Sequence, residues 1–229
     1  MALAALGLLA DDDTLTDAAF QEMLAYQTDP RYVDRIAFLR AFRHWSSGNS
    51  QEASRELCRH IHMLPNIPHL WVQLASFQAA TVQESQSSPI HQPVDGLLVA
   101  RCARIAAEIG QHIDTTDEQQ IQQIDLSKVT SLVAIGYLLA GQKKASLIAA
   151  QKAVHGNPQS AASWSVLLAA AVSSWTSETS QSSDLDNQLL WLKQLIGHLR
   201  RRCDVAAFSG LAPWLGSYER RLTGLLSQN

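Results

Sequence analysis

The chain has 229 residues, of which 46% are hydrophobic, 7% aromatic and 17% charged, and its formal net charge is −3. That length suits one compact domain or a short run of repeats around a continuous core. The apolar content excludes wholesale disorder, and the near-neutral balance excludes a general electrostatic grip on nucleic acid. A charged fraction below the roughly 25% usual for soluble domains implies a surface partly covered by something else.

The apolar start, residues 1–10, has no basic n-region, and Asp11, Asp12 and Asp13 follow at once. It reads as the end of a packed helix, not as a secretory leader. The three aspartates, just ahead of Thr14 and Asp17, read as an interhelix turn with capping side chains. Apolar spacing at steps of three and four then predicts helices near 15–27, 33–46, 51–63, 68–81, 94–111, 128–141, 143–156, 160–175, 185–202 and 211–227. Leu185, Leu189, Leu192, Ile196 and Leu199 share one such stripe; Leu211, Trp214, Leu215, Tyr218, Leu222 and Leu225 share another. No segment alternates with period two, so the expected class is all-α. Residues 81–89, 112–127 and 177–183 are polar, Ser/Gln- or Asp/Gln-rich, and read as solvated spacers.

A repeat underlies the helices. Gly48, Pro65, Trp71 and Leu74 return as Gly141, Pro158, Trp164 and Leu167, each pair 93 residues apart and with identical internal spacing. A third copy starts earlier: Ala18 precedes Pro30 by 12 residues, as Ala53 precedes Pro65. This pattern resembles the tetratricopeptide repeat, a helix-turn-helix of about 34 residues. Trp71, Leu74 and Ala75 match its Trp, Leu and Gly slots; Val133, Ala134 and Tyr137 match its Leu, Gly and Tyr slots, with Gly141 at the turn. Ala53, Leu57 and Pro65 match its Ala, Phe and Pro slots, whereas Arg40, His44, Ser146 and Leu168 depart from the pattern.

Each slot has a physical reason. Small residues (Ala18, Ala53, Ala75, Ala134) let two helix backbones approach. Large ones (Trp71, Leu74, Tyr137, Trp164, Leu167) fill the volume between hairpins. Gly48 and Gly141 supply the left-handed residue that ends a helix, and Pro65 and Pro158 stop the next one. The resemblance implies an α-solenoid, a superhelix of helical hairpins with long interhelix loops. Its expected divisions are a partial repeat at 1–32, repeats at 33–66, 67–127 (with long insertions), 128–159 and 160–203, and a capping helix at 204–229. A chain that begins inside a repeat is expected to be the terminal part of a longer array.

No phosphate loop, dinucleotide fingerprint, HExxH, GxSxG or CxxC is present. His60 and His62 are two residues apart, about 200° around a helix, and cannot share a metal; His60 is expected on a polar face. Cys58, Cys102 and Cys203 are odd in number and widely spaced, which favours a reducing compartment, and Cys58 is expected to be a buried structural thiol. Arg200, Arg201 and Arg202, with Lys193 and His198, sit at a predicted helix end where they complement the dipole. No apolar run reaches the ~20 residues of a membrane span. No catalytic residue, cofactor or metal is expected.

Stacked hairpins hold other proteins. The predicted first helices carry no Lys/Asn ladder of the kind that clamps a terminal carboxylate, and their apolar character favours a large, permanent interface. The stretches 59–71 and 151–158 look like the C-terminal repeats of the superkiller complex tetratricopeptide subunit. That resemblance implies a cytoplasmic scaffold, with the nucleus also open to it. It implies a DExH-box RNA helicase and a WD40-propeller subunit as partners, no membrane, and no direct nucleic-acid contact. The work implied is exosome-linked messenger RNA decay and surveillance. By position, Trp214, Tyr218, Arg221, Leu222 and Leu225 are the candidate partner contacts. The alternative is a stand-alone adaptor for peptide segments of a chaperone or signalling partner.

Overall fold

The computed structural model describes residues 1–10, 12–26, 29, 32–85, 95–112 and 124–175, together with a few helical positions between 187 and 197. All regular structure among the described residues is helical: α1 (Ala2–Ala10), α2 (Asp13–Met23), α3 (Val33–Ser46), α4 (Ser50–Met63), α5 (Pro68–Ser85), α6 (Gly96–His112), α7 (Leu126–Leu139), α8 (Lys143–Gly156) and α9 (Ala161–Trp175). The chain divides into two compact units, Met1–Asp125 and Leu126–Asn229. In the first, α1 packs on α2, α3 on α4 and α5 on α6, while α3 also meets α1 and α5. In the second, α7, α8 and α9 pack on one another. These are helical hairpins of the tetratricopeptide kind.

The first hairpin is set by its turn. Asp12 caps α2, its carboxylate accepting from the Leu15 N–H at 3.0 Å and the Thr14 hydroxyl at 2.6 Å. The Thr14 hydroxyl, then the Leu15 amide, hold the Asp12 carboxyl below its ordinary range. Across the turn, Gly7 lies so close to α2 that a Cβ there would meet Thr16 Oγ1 at 2.4 Å and the Thr16 backbone nitrogen at 2.9 Å. A Leu24–Tyr26 turn of 3-10 helix follows α2.

The same frame is built twice, 93 residues apart. Gly48 ends the first copy of the hairpin at φ 79° and Gly141 the second at φ 72°. The Asn49 N–H donates to His44 O and the Gly48 N–H to Trp45 O; the Gln142 N–H donates to Tyr137 O and the Gly141 N–H to Leu138 O. Both ends are the paired 6→1 and 5→2 bonds of a Schellman cap, which satisfies carbonyls the helix leaves over. Where the second helices of the two hairpins end, the Trp71 indole N–H donates to Pro65 O and the Trp164 indole N–H to Pro158 O, each at 2.8 Å. A tryptophan six residues after the proline thus ties the start of one helix to the stop of the previous one.

The interiors differ more than the corners. Ala53, Ala75 and Ala134 are fully buried, as small residues at close approaches must be. Ser146 stands where the first copy has Ala53; it too is fully buried, and its hydroxyl donates to Ala134 O at 2.8 Å. Ser127, Ser131 and Ser163 form a buried hydroxyl cluster, with Ser163 3.0 and 3.1 Å from the other two and Ser127 donating to Ala153 O. The corresponding positions of the first copy hold Asp34, Phe38 and Leu70.

Several expectations need correcting. Ala18 is exposed and Ala19 is buried: Thr16, Ala19, Phe20 and Met23, at steps of three and one, form the inward stripe of α2, on which Ala19, Phe20 and Met23 cluster with Ala4, Ile36 and Leu39, and Ala18 lies off that stripe. His60 is buried at 4% exposure, not on a polar face, with Nδ1 2.9 Å from Glu56 O. It joins Ala53, Glu56, Leu57 and Ile61 on the inner side of α4. Cys58 is exposed, whereas Cys102 is buried. Finally, α5 runs on to Ser85 through the polar residues read as loop; no proline or glycine intervenes to stop it.

Candidate interaction surface

The predicted partner residues Trp214, Tyr218, Arg221, Leu222 and Leu225, and the helix at 211–227 that carries them, lie outside the described residues. The packing residues are placed as follows: Leu74, Trp164 and Leu167 are buried, Trp71 and Tyr137 half-buried, and Gly141 sits at its positive-φ corner.

Within Met1–Asp125, α3 lies between α1 and α5 and packs against both. A row of rings runs along it. Phe38 stacks on Phe42 at 5.9 Å and tilts against Phe77 at 5.8 Å. Trp45 meets Phe42 at 5.8 Å and Phe77 edge-on at 6.0 Å. Phe38 and Phe42 are one helical turn apart on α3, and only Phe77 is fully packed away. Beside the row is a groove of about 370 Å³. It is lined by Met1, Ala2 and Ala5 from α1, Asp34, Arg35, Phe38 and Leu39 from α3, and His69 and Gln73 from α5. Trp45 Nε1 and Gln73 Oε1 are buried without a hydrogen-bond partner. Sequence reading missed this surface, although Phe38 and Phe42 at i, i+4 were a visible signal.

Charge on this unit is held in local networks. Glu56, 8% exposed, lies 3.6 Å from Arg40 and 3.2 Å from Arg59, and its Oε1 is 3.8 Å from His60 Nδ1. Arg43 bridges α3 to α2 through Asp13 and Asp17 and lies 5.8 Å from the Phe20 ring centroid. Burial, and after it the neighbouring Cys58, push the Cys102 thiol up to about 11, and desolvation also raises Cys58. These thiols are poor nucleophiles at neutral pH. Among the described residues no group of three or more His, Cys, Asp or Glu is placed to hold a metal ion, and no helix is long and apolar enough to cross a membrane. The surface offers rings, a few polar atoms and a groove, which is the chemistry of holding a polypeptide.

No family model matches the chain. It is 28% identical over 168 residues to Tetratricopeptide repeat protein 37 of Xenopus laevis, a match covering 73% of this chain and 10% of that protein. The chain therefore spans about a tenth of the length of the curated relative it matches, and the likeness agrees with the hairpin frame described above.

Proposed function

We propose that the chain is a non-catalytic scaffold segment that holds other proteins, acting as the C-terminal arm of a superkiller-type assembly in exosome-linked cytoplasmic messenger RNA decay. The observation that carries the scaffold part is the twice-built frame. Glycine corners, Trp-to-proline-carbonyl ties and buried small residues recur at an offset of 93 residues, in a chain similar to a tetratricopeptide repeat protein. Hairpins of this kind bury one face on a neighbour and leave others for partners. The resemblance of residues 59–71 and 151–158 to the superkiller subunit's C-terminal repeats supports the finer reading. A DExH-box helicase and a WD40-propeller subunit are the partners it names.

The test is affinity purification of the tagged full-length protein from cytoplasmic extract, followed by mass spectrometry. A helicase and a propeller protein should be recovered together in near-stoichiometric amounts. Recovery of chaperones alone would replace this reading with the peptide adaptor. Submicromolar binding of the chain to single-stranded RNA with a steep salt slope would overturn the scaffold reading altogether.

A further inference from the structure

Helices α4 and α8 are the same element in the two copies of the frame, and their outer sides differ in charge. The inner side of α8, with Ser146, Ala149, Ala150, Ala153 and Val154, is buried, and the helix packs on α7 and α9. Its outer side carries Lys144, Ile148, Gln151, Lys152 and His155, all exposed. At the offset of 93 residues these correspond to Gln51, Arg55, Cys58, Arg59 and His62 of α4. In α4 the arginines are neutralised on their own helix: Arg55 lies 3.0 Å from Glu52, and Arg59 lies 3.2 Å from Glu56 and 3.7 Å from Glu52. In α8 the two carboxylate positions hold Ala145 and Ala149. Lys144 and Lys152 make no hydrogen bond or ion pair among the described residues.

The rest of the unit does not supply the missing charge. From Leu126 to Trp175 the chain has four lysines and no aspartate or glutamate. Asp125, just ahead of α7, already has a partner. The whole unit Leu126–Asn229 holds ten lysines and arginines against five aspartates and glutamates, so it stays positive however those acids are shared. Nor do the lysines serve the helix. Lys143 and Lys144 stand in the first turn of α8, at the positive end of its dipole, where α4 places Glu52. Ile148 is equally out of place in water at 55% exposure. Lys144 is four residues before it and Lys152 four after, so the three lie on one stripe. At 1.5 Å of rise per residue the two lysines are about 12 Å apart, with the isoleucine midway.

A cation, an apolar side chain and a cation at four-residue steps are matched by a second helix bearing a carboxylate, an apolar side chain and a carboxylate at the same steps. A nucleic-acid strand matches the stripe less well: the stripe has no arginine or aromatic ring, and a phosphate backbone offers Ile148 nothing to pack on. We infer that the outer face of α8 docks an acidic helix of a protein partner, with acidic residues at i and i+8 on Lys144 and Lys152 and an apolar residue at i+4 on Ile148. The inference rests on the scaffold reading only in that the ligand is a protein. It does not depend on which assembly the scaffold serves.

The experiment uses the full chain and three labelled Ala-rich peptides of about 20 residues, long enough to be helical in water. Each has leucine at i+4. The first carries glutamate at i and i+8, the second glutamine there, and the third has its two glutamates moved by two residues, off the leucine's face. Fluorescence anisotropy at low salt should show the first binding at least tenfold more tightly than the other two. The preference should shrink as salt rises. In the double variant Lys144→Gln, Lys152→Gln, at exposed positions whose change leaves the helical circular dichroism intact, the ratio should fall below threefold. Ile148→Ser should weaken the first and second peptides alike. Equal binding of the first and third peptides, a preference that survives in the double variant, or indifference to Ile148→Ser overturns the inference. So does a labelled single-stranded RNA that binds more tightly than the first peptide and is lost in the same double variant, since the face would then be a nucleic-acid contact. The peptide results leave the copurification test untouched, so the two readings fail separately.

Discussion

Trp71 and Trp164 occupy the same slot and make the same 2.8 Å bond to a proline carbonyl, yet their surroundings differ. Trp164 is 7% exposed and sits among Ala134, Ala149, Ala150 and Leu167. Trp71 is half-buried. Trp164→Ala removes a full core side chain and should cost about 3–5 kcal/mol. Trp71→Ala loses roughly half that apolar burial and should cost about 2 kcal/mol, less than a fully packed ring would imply. Replacement of either by Phe keeps most of the ring and deletes only the donor, so both should cost about 1 kcal/mol. Urea unfolding followed at 222 nm reads this directly. With a slope near 2 kcal/mol/M, Trp164→Ala should lower the midpoint by about 2 M and Trp71→Ala by about 1 M. Amide exchange in α8 and α9, against α4 and α5, assigns each loss to its own unit. Equal alanine costs, or Phe variants as damaging as Ala, would refute the account of what the slot does.

Gly7→Ala gains helix propensity but drives a methyl into the Thr16 backbone, so it should destabilise by about 1–3 kcal/mol in thermal melts. Gly48→Ala and Gly141→Ala meet nothing within 4 Å, so each should cost only the left-handed backbone penalty, about 1–2 kcal/mol, and the two values should agree. Ser146→Ala should cost about 1 kcal/mol, because the first copy shows that alanine fits, whereas Ser146→Val overpacks a fully buried site and should cost more. In a Cys203→Ala background, Cys58 should label with a thiol reagent at a rate that climbs with pH beyond 9, and Cys102 should label only on unfolding. The Asp12 cap should be fully effective above pH ~4 and weaken as pH falls through the lowered carboxyl range, seen as earlier fraying of α2 amides.

The helices were legible because apolar spacing and backbone breakers leave their mark on every turn. Gly48, Gly141, Pro65 and Pro158 set corners that no neighbour has to dictate. The failures share a cause: they depend on rotation or on what lies across a gap. Ala18 and Ala19 differ only in which side of α2 faces its neighbours, and that is decided by the cluster that Ala19, Phe20 and Met23 make with Ala4, Ile36 and Leu39, not by spacing from Pro30. His60 is polar in type, yet it is buried because its ring nitrogen finds Glu56 O and its neighbour Glu56 finds Arg40 and Arg59. A cavity lined by Tyr26 and Tyr32 joins residues from three helices, and no spacing rule connects Leu3 to Ile36.

Comparison of the two copies shows what the frame requires and what it leaves open. Kept are the features that position backbone: both positive-φ glycines, both tryptophan-to-carbonyl ties and both Schellman bond pairs. Exchanged are the side chains between them. Asp34, Phe38 and Leu70 in one copy become Ser127, Ser131 and Ser163 in the other, and a half-exposed aromatic edge becomes a sealed hydroxyl cluster. Three serines are smaller than that set and leave no ring to present, but they satisfy one another internally, so their burial leaves no hydroxyl of the cluster unpaired. The first copy instead keeps Phe38 at its surface beside Phe42 and Trp45. A frame held by backbone devices tolerates this exchange, because neither corner depends on the residues that change. One copy can therefore close its face while its counterpart stays open to a partner, which is what a scaffold built by repetition needs if its repeats are to do different work.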